Sequence, residues 1–273
     1  SDVDNMAMFL RMANILPVEM DVSGIVAETK RQLKQEADYL VEARYLRHYR
    51  ELVRDEARFV VPEVHDDFTT KRILAMDFVS GEPLESLGED GVPQALRDDI
   101  GELLERLMFR ELFEFQTMQT DPNFANYFYQ PGSDRVVLLD FGSTITFEKA
   151  FTERYKDISR ALIDEDDGAV RHYAEQIGYL DPGDSSDHAR RVLDVIRLVC
   201  EPIRHDVTYD FGASDMTSRA RDAGLEMALK SGGELRTPPP ETVFLHRKLV
   251  GSFLLCARIR ARVNGHRLIS EYL

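Results

Sequence analysis

The tightest constraint on the fold of this chain lies in the block from Asp121 to Gly142. Asp121 precedes a proline, which pushes it out of the α region and ends the amphipathic helix expected from about Gln94 to Met118. Two apolar runs follow, Tyr127-Phe128-Tyr129 and Val136-Val137-Leu138-Leu139, separated by Pro131-Gly132-Ser133-Asp134. That is the pattern of a hairpin. Asn126 and Asp140 flank its two open ends, so the fold has to bring them together. An amide oxygen and a carboxylate are hard oxygen ligands of the kind Mg2+ takes. Asp121 adds a carboxylate able to accept a hydroxyl proton or orient an attacking group. Gly142 lets the backbone turn sharply beside Asp140. The plainer alternative has Asp140 capping a strand end and Asp121 capping a turn.

Around this block the pattern is mainly helical. From Val22 to about Val53 apolar residues recur at helical spacing, with Leu33, Ala37 and Leu40 leading to Tyr45, Tyr49 and Leu52. Phe59–Val64 reads as a short edge strand because of Pro62, and Arg72–Val79 as a second strand pairing with it. The polar stretch from Gly81 to Gly91 reads as a hinge. Beyond Phe147 the chain is helical in flavour, ending in a helix expected from about Glu241 to Val263. These readings give an α+β chain in two parts, residues 1–80 and a helical part at 81–273.

Composition removes several function classes. Forty-nine acidic against 34 basic residues give a net charge of −15, which argues against nucleic-acid binding, since phosphate neutralisation needs a basic surface. No apolar run is long enough for a membrane span. Cys200 and Cys256 have neither disulfide-framework nor metal-ligand spacing, which favours a reducing compartment. The seven histidines are scattered, with no nucleophile beside them. Ser1 and its acidic neighbours form neither a signal nor a transit peptide, and the missing initiator Met leads to the expectation that the sequence starts inside a longer protein.

The spacing of Asp121, Asn126 and Asp140-Phe141-Gly142 is the D-x4-N followed by D-F-G of protein-kinase-like phosphoryl transfer. Either motif alone is weak; the two in this order, on helix, hairpin and apolar strand, are specific. Glu42 falls on the apolar stripe of Tyr39, Leu46, Tyr49 and Val53, where a charge calls for a partner; a solvated residue beside a broad stripe is the alternative. Glu36 and Asp38, read alone, are solvated charge. No Gly-rich phosphate loop occurs, and none of the seven lysines stands in a V-A-x-K setting.

Glu36-Ala37-Asp38-Tyr39 with Glu42-Ala43, Met118 to Asn126 (MQTDPNFAN), Leu138-Leu139-Asp140-Phe141-Gly142 and Leu245-His246-Arg247-Lys248 together resemble the UbiB (AarF) family of atypical kinases, in its coenzyme Q branch. The resemblance runs from Ser1 essentially to the C-terminus. It implies a protein-kinase-like two-lobed fold, with a truncated N-lobe at 1–80 and a mostly helical C-lobe at 81–273. It also implies binding of ATP or ADP with Mg2+. Position by position, Asn126 and Asp140 become metal ligands and Asp121 the catalytic-loop aspartate. Glu42 becomes the helix glutamate that pairs with a strand lysine. Glu36 and Asp38 become an E-x-D motif facing an upstream K-x-G-Q segment. Met76–Val79 becomes the hinge, with backbone groups of Asp77 and Val79 toward adenine. The K-x-G-Q segment, the Ala-rich loop and the strand lysine are not in this sequence, so phosphate binding lacks its lysine here.

The activity implied is that of an ATPase or a small-molecule or lipid phosphotransferase supporting ubiquinone biosynthesis. The expected setting is the cytoplasm, or the mitochondrial matrix in a eukaryote, peripheral to the inner membrane, as a homodimer or in a biosynthetic complex. A nucleotide-gated scaffold that binds lipid precursors or biosynthetic enzymes without phosphoryl transfer is the alternative. The basic, apolar stretch from Phe244 to Val263 reads as a buried helix with charged edges in preference to a contact with a membrane surface or quinone precursor.

Overall fold

A computed structural model describes residues 38–121, 123–230 and 239–273. Residues 1–37, and with them Glu36 and the first half of the long N-terminal helix expected above, lie outside the described residues. Helix α1 (Tyr39–Leu52) begins where Asp38 caps it, its side chain accepting the Leu40 N–H at 3.1 Å. An N-cap carboxylate satisfies a backbone donor that the first turn leaves open. Ala43, Leu46 and Tyr49 are the buried residues of α1, the i, i+3, i+6 pattern of one helix face.

Strands β1 (Phe59–Val60), β2 (Glu82–Pro83), β4 (Tyr127–Gln130) and β5 (Arg135–Leu138) form one sheet in the order β1-β5-β4-β2. The expected hairpin is β4–β5, antiparallel, with Tyr127 opposite Leu138 and Gln130 opposite Arg135. Its turn places Gly132 at φ 79°, a backbone region that glycine enters without a Cβ clash. Strand β1 stands at the sheet edge, parallel to β5, as Pro62 foretells. The second expected strand does not form. Residues 72–79 meet their partner through a single Val64–Met76 bridge, flanked by the His65 N–H to Ala75 carbonyl bond at 2.8 Å and the Asp77 N–H to Glu63 carbonyl bond at 2.9 Å. Ile73 and Phe78 are 58% and 95% exposed, so this apolar run lacks the covering that makes a strand.

Helix α2 (Gln94–Phe109) carries Ile100, Leu103, Leu104, Leu107 and Met108 into the core. It stops earlier than its apolar period suggests. A π-helical turn, Arg110–Glu114, and a left-handed Gln116 at φ 53° hand the chain to β3 (Thr117–Gln119), which pairs antiparallel with β6 (Thr144–Thr146).

The rest is helical: α3 (Lys149–Ile163), α4 (Asp167–Ile177), α5 (Ser186–Val199), α6 (Glu201–Arg204), α7 (Met216–Lys230), α8 (Pro240–Arg258) and α9 (Gly265–Ser270). Between these lie β7 (Tyr209–Asp210) and β8 (Arg262–Val263), paired with one another. Asp166 and Ser185 cap α4 and α5 through bonds to the Ala169 and His188 N–H groups. Helix α8 is shorter than expected, because Arg260 turns left-handed at φ 57°.

The polar stretch from Gly81 to Gly91 folds onto α8. Leu84 and Leu87 are buried, and a Cβ at Gly88 would sit 2.2 Å from the Arg258 carbonyl oxygen. The cations of the C-terminal stretch are matched by acids: Arg258–Glu85, Arg260–Asp90 and Arg262–Asp210 at 2.9–3.1 Å. Among the described residues no helix is long and apolar enough to cross a membrane.

Candidate active site

Two backbone ladders set the geometry of the Asp121–Gly142 block. At one end, the β4–β5 hairpin finishes with the Leu139 N–H donating to the Asn126 carbonyl at 3.1 Å. At the other, the β3–β6 pair finishes with the Thr120 N–H and Thr120 hydroxyl both donating to the Ser143 carbonyl, at 3.0 and 2.8 Å. Segment 121–126 therefore lies across from segment 139–143, tied at both ends. Sequence alone places Asn126 by Asp140; the β3–β6 ladder, which also fixes Asp121 there, has no signal in the pattern.

Within the segment a 3-10 turn, Phe124–Asn126, is capped by Asn123 through the Ala125 N–H at 3.1 Å. The buried Asn126 donates through Nδ2 to Asp121 Oδ2 at 2.8 Å. With its NH2 group turned to Asp121, the Oδ1 oxygen of the Asn126 amide is directed away from that bond, as an oxygen ligand requires. Asp140 is half-buried, and its Oδ1 accepts the Gly142 N–H at 2.9 Å, which fixes the carboxylate at the turn. Asp121 is 26% exposed, and its Oδ1 faces the Arg247 guanidinium at 3.7 Å.

No group of three or more His, Cys, Asp and Glu side chains gathers into a metal cage among the described residues. Two oxygen donors from the protein, Asn126 and Asp140, fit a cation that keeps part of its water shell and leans on substrate phosphates, as Mg2+ does.

Phe141 of D-F-G is 2% exposed and stacks at 4.4 Å, tilted 36°, on Tyr49 of α1. Glu42 lies half-buried on α1, one turn before Leu46 and two before Tyr49, so the helix that carries it rests on the D-F-G phenylalanine. Asp38 serves α1 as its cap. Asp77 is exposed; its carboxylate meets His65 Nε2 at 2.9 Å, and its N–H goes to Glu63. Val79 is half-buried beside the exposed Phe78.

Three charged residues outside the D-x4-N and D-F-G motifs stand at or beneath the site. Besides Arg247, these are Glu111 and Lys248, 1% and 6% exposed, joined at 2.9 Å from Lys248 Nζ to Glu111 Oε2. Lys248 also donates to the Tyr127 hydroxyl at 3.2 Å. Glu111 Oε1 accepts from the Tyr49 hydroxyl at 2.8 Å and from the Gln119 N–H at 3.2 Å. Burial works against the Lys248 ammonium, yet the Glu111 carboxylate and the Tyr127 oxygen together outweigh it and hold the lysine above the ordinary ammonium range. Burial, then the Glu111 charge, raises the Tyr49 phenol well above its usual value, so it stays a donor. A signal was present in the sequence. Glu111 continues the stripe of Leu104, Leu107 and Met108, and Lys248 that of Leu245, Leu249 and Ser252; a charge on an apolar stripe calls for a buried partner.

Residues 1–174 match the ABC1 atypical kinase-like domain. The chain is 35% identical over 271 residues to the atypical kinase COQ8B, mitochondrial, of Rattus norvegicus, covering 99% of this chain and 50% of that protein. It is 33% identical over 271 residues to the atypical kinase COQ8, mitochondrial, of Saccharomyces cerevisiae, covering 99% and 54%. The chain thus spans about half the length of these curated relatives. Among solved structures, the complex of Rv3197 with erythromycin from Mycobacterium tuberculosis superposes with a TM-score of 0.73 at 22% identity, over 100% of this chain and 67% of that one. At that identity the likeness speaks for a shared fold.

Proposed function

The chain belongs to the ABC1 atypical kinase-like family, and on that premise we propose that it binds a Mg2+–adenine nucleotide between segments 121–126 and 139–143. Its role on this reading is ATP hydrolysis, or phosphoryl transfer to a small molecule or lipid, in support of coenzyme Q biosynthesis. The observation that carries the proposal is the double tie, Leu139 to Asn126 and Thr120 to Ser143, which gathers Asp121, Asn126 and Asp140 on two facing loops.

In this reading Asn126 Oδ1 and the Asp140 carboxylate hold the cation, which when bound neutralises phosphate charge. Asp121, oriented by Asn126 Nδ2 and balanced by Arg247, steers the attacking hydroxyl or water. Backbone groups of Asp77 and Val79 meet the adenine edge. Glu42 pairs with a phosphate-holding lysine, and Glu36 and Asp38 work as an E-x-D motif. Lipid quinone precursors are the ligand class considered, met at a membrane surface or in a biosynthetic complex.

The test is thermal stabilisation by ADP with and without Mg2+, for this chain and Asp140→Asn. Ligand at 100 times its Kd adds about 2.7 kcal/mol. A Mg2+-dependent shift that disappears in Asp140→Asn is the expected result. No such shift, either here or in a chain extended to the relatives' length, refutes the reading. The second reading, a nucleotide-gated scaffold without phosphoryl transfer, draws on the absence of a V-A-x-K lysine among the seven lysines. Asp121→Asn separates the two: an enzyme loses its pathway support, whereas a scaffold keeps it.

A further inference from the structure

A buried ion pair is a poor device for stability alone. Desolvating both charges costs about as much as their attraction returns, and apolar replacements of similar volume are often neutral or stabilising. What such a pair does well is fix the groups hydrogen-bonded to it. Glu111 and Lys248 each spend a further contact on one end of the same segment. Glu111 Oε1 accepts the Gln119 N–H, two residues before Asp121. Lys248 Nζ donates to the hydroxyl of Tyr127, the residue after Asn126. The two anchors thus bracket the stretch that carries both functional side chains. The same carboxylate oxygen receives the Tyr49 hydroxyl, and Tyr49 supports Phe141 of D-F-G. One ion pair therefore touches the entry to segment 121–126, its exit, and the helix beneath Phe141.

We propose that Glu111 and Lys248 are positioning residues: their ion pair clamps both ends of the Asp121–Asn126 segment and so sets the separation of the groups facing the nucleotide. Neither touches the reacting atoms. The consequence for the cation rests on the Mg2+–nucleotide reading above, whereas the clamp itself is a property of the ligand-free chain.

Amide hydrogen exchange without ligand tests the clamp. In Lys248→Met the amides of Gln119, Thr120, Asn126 and Leu139 should exchange at least tenfold faster, while those of α3 and α4 stay within about twofold of the wild type. Because Lys248→Met leaves a buried carboxylate without its cation, the double variant Glu111→Gln/Lys248→Met, which removes both charges, is measured beside it. Tyr127→Phe keeps the pair and removes one anchor; it should loosen Asn126 and Leu139 but not Gln119. Unchanged exchange at these amides in the double variant, or acceleration spread evenly over α3 and α4, overturns the clamp. So does a Tyr127→Phe variant indistinguishable from wild type.

The Mg2+ concentration for half-maximal stabilisation by ADP, measured on the same proteins, should rise at least tenfold in the double variant. A wild type with no Mg2+-dependent stabilisation sinks the nucleotide reading, and the exchange pattern still decides the clamp.

Discussion

Replacing Tyr49 by Phe removes one hydroxyl and leaves the ring that Phe141 rests on, which makes it a clean probe of the network under the site. The hydroxyl donates to Glu111 Oε1 at 2.8 Å, with the Thr117 carbonyl as a second, longer acceptor at 3.2 Å. A hydrogen bond to a charged group contributes about 1.5–3 kcal/mol net. Glu111 keeps Lys248 and the Gln119 N–H in the variant, so the middle of that range, about 2 kcal/mol, is the expected loss. Tyr49→Leu gives up the ring as well. The 4.4 Å contact with Phe141 then adds roughly 0.5–1.5 kcal/mol to the loss. The chain has no tryptophan, so urea unfolding at pH 7 is followed by far-UV circular dichroism. A cycle with Glu111→Gln should return a coupling above about 1 kcal/mol. A Tyr49→Phe protein within about 0.5 kcal/mol of wild type, or an additive cycle, refutes the reasoning: the hydroxyl would then contribute nothing that water does not.

Two further outcomes follow from particular contacts. A Cβ at Gly101 would stand 2.4 Å from Ala261 Cβ and 3.2 Å from Val263 Cγ2. Gly101→Ala therefore loses about 1–3 kcal/mol to overpacking against roughly 1 kcal/mol of helix propensity gained. Denaturation should show net destabilisation that Ala261→Gly relieves, and a stabilised single variant contradicts this. His246 lies under Tyr179, whose hydroxyl meets its Nε2 at 2.5 Å, and burial holds the imidazole down, to about 4. As pH falls from the ordinary value near 6.5 toward 4, the unfolded chain takes up a proton that folded His246 refuses, so stability drops through that window. Unfolding free energies across it should fall less steeply in His246→Gln; identical slopes refute the assignment.

The parts of the fold legible in the sequence are those with local signals: the helical stripe of Leu46 and Tyr49 and the Pro131–Asp134 turn. The helix end expected at Asp121-Pro122 comes earlier, and strand β3 intervenes. Helices α2 and α8 are both shorter than their apolar patterns suggest. Helix α2 gives way to the Arg110–Glu114 π-helical turn, and after each helix the chain direction changes at a left-handed residue that is not glycine, Gln116 or Arg260; such residues carry no warning in the pattern. The 72–79 run has the apolar content of a strand in Ile73, Leu74, Met76, Phe78 and Val79, but β structure depends on what covers a run, and Phe78 stands in solvent. At the site, Asn126 and Asp140 could be paired because a hairpin is local. Arg247 and Lys248 could not be given roles, since their acids lie on other elements, and no spacing rule reaches across that distance.

That distance has a consequence for how the protein is made. The Lys248–Tyr127 bond joins residues 121 positions apart. A ribosome delivers the Asp121–Gly142 block, with Glu111 already below it, long before the helix that holds Lys248 emerges. Until α8 docks, the carboxylate meant for the interior faces water, and the block waits for its last fastening. Non-local closure of this kind comes late in folding. A nascent chain therefore completes its site only once α8 has emerged and docked, so the appearance of the motifs does not by itself mark a finished site.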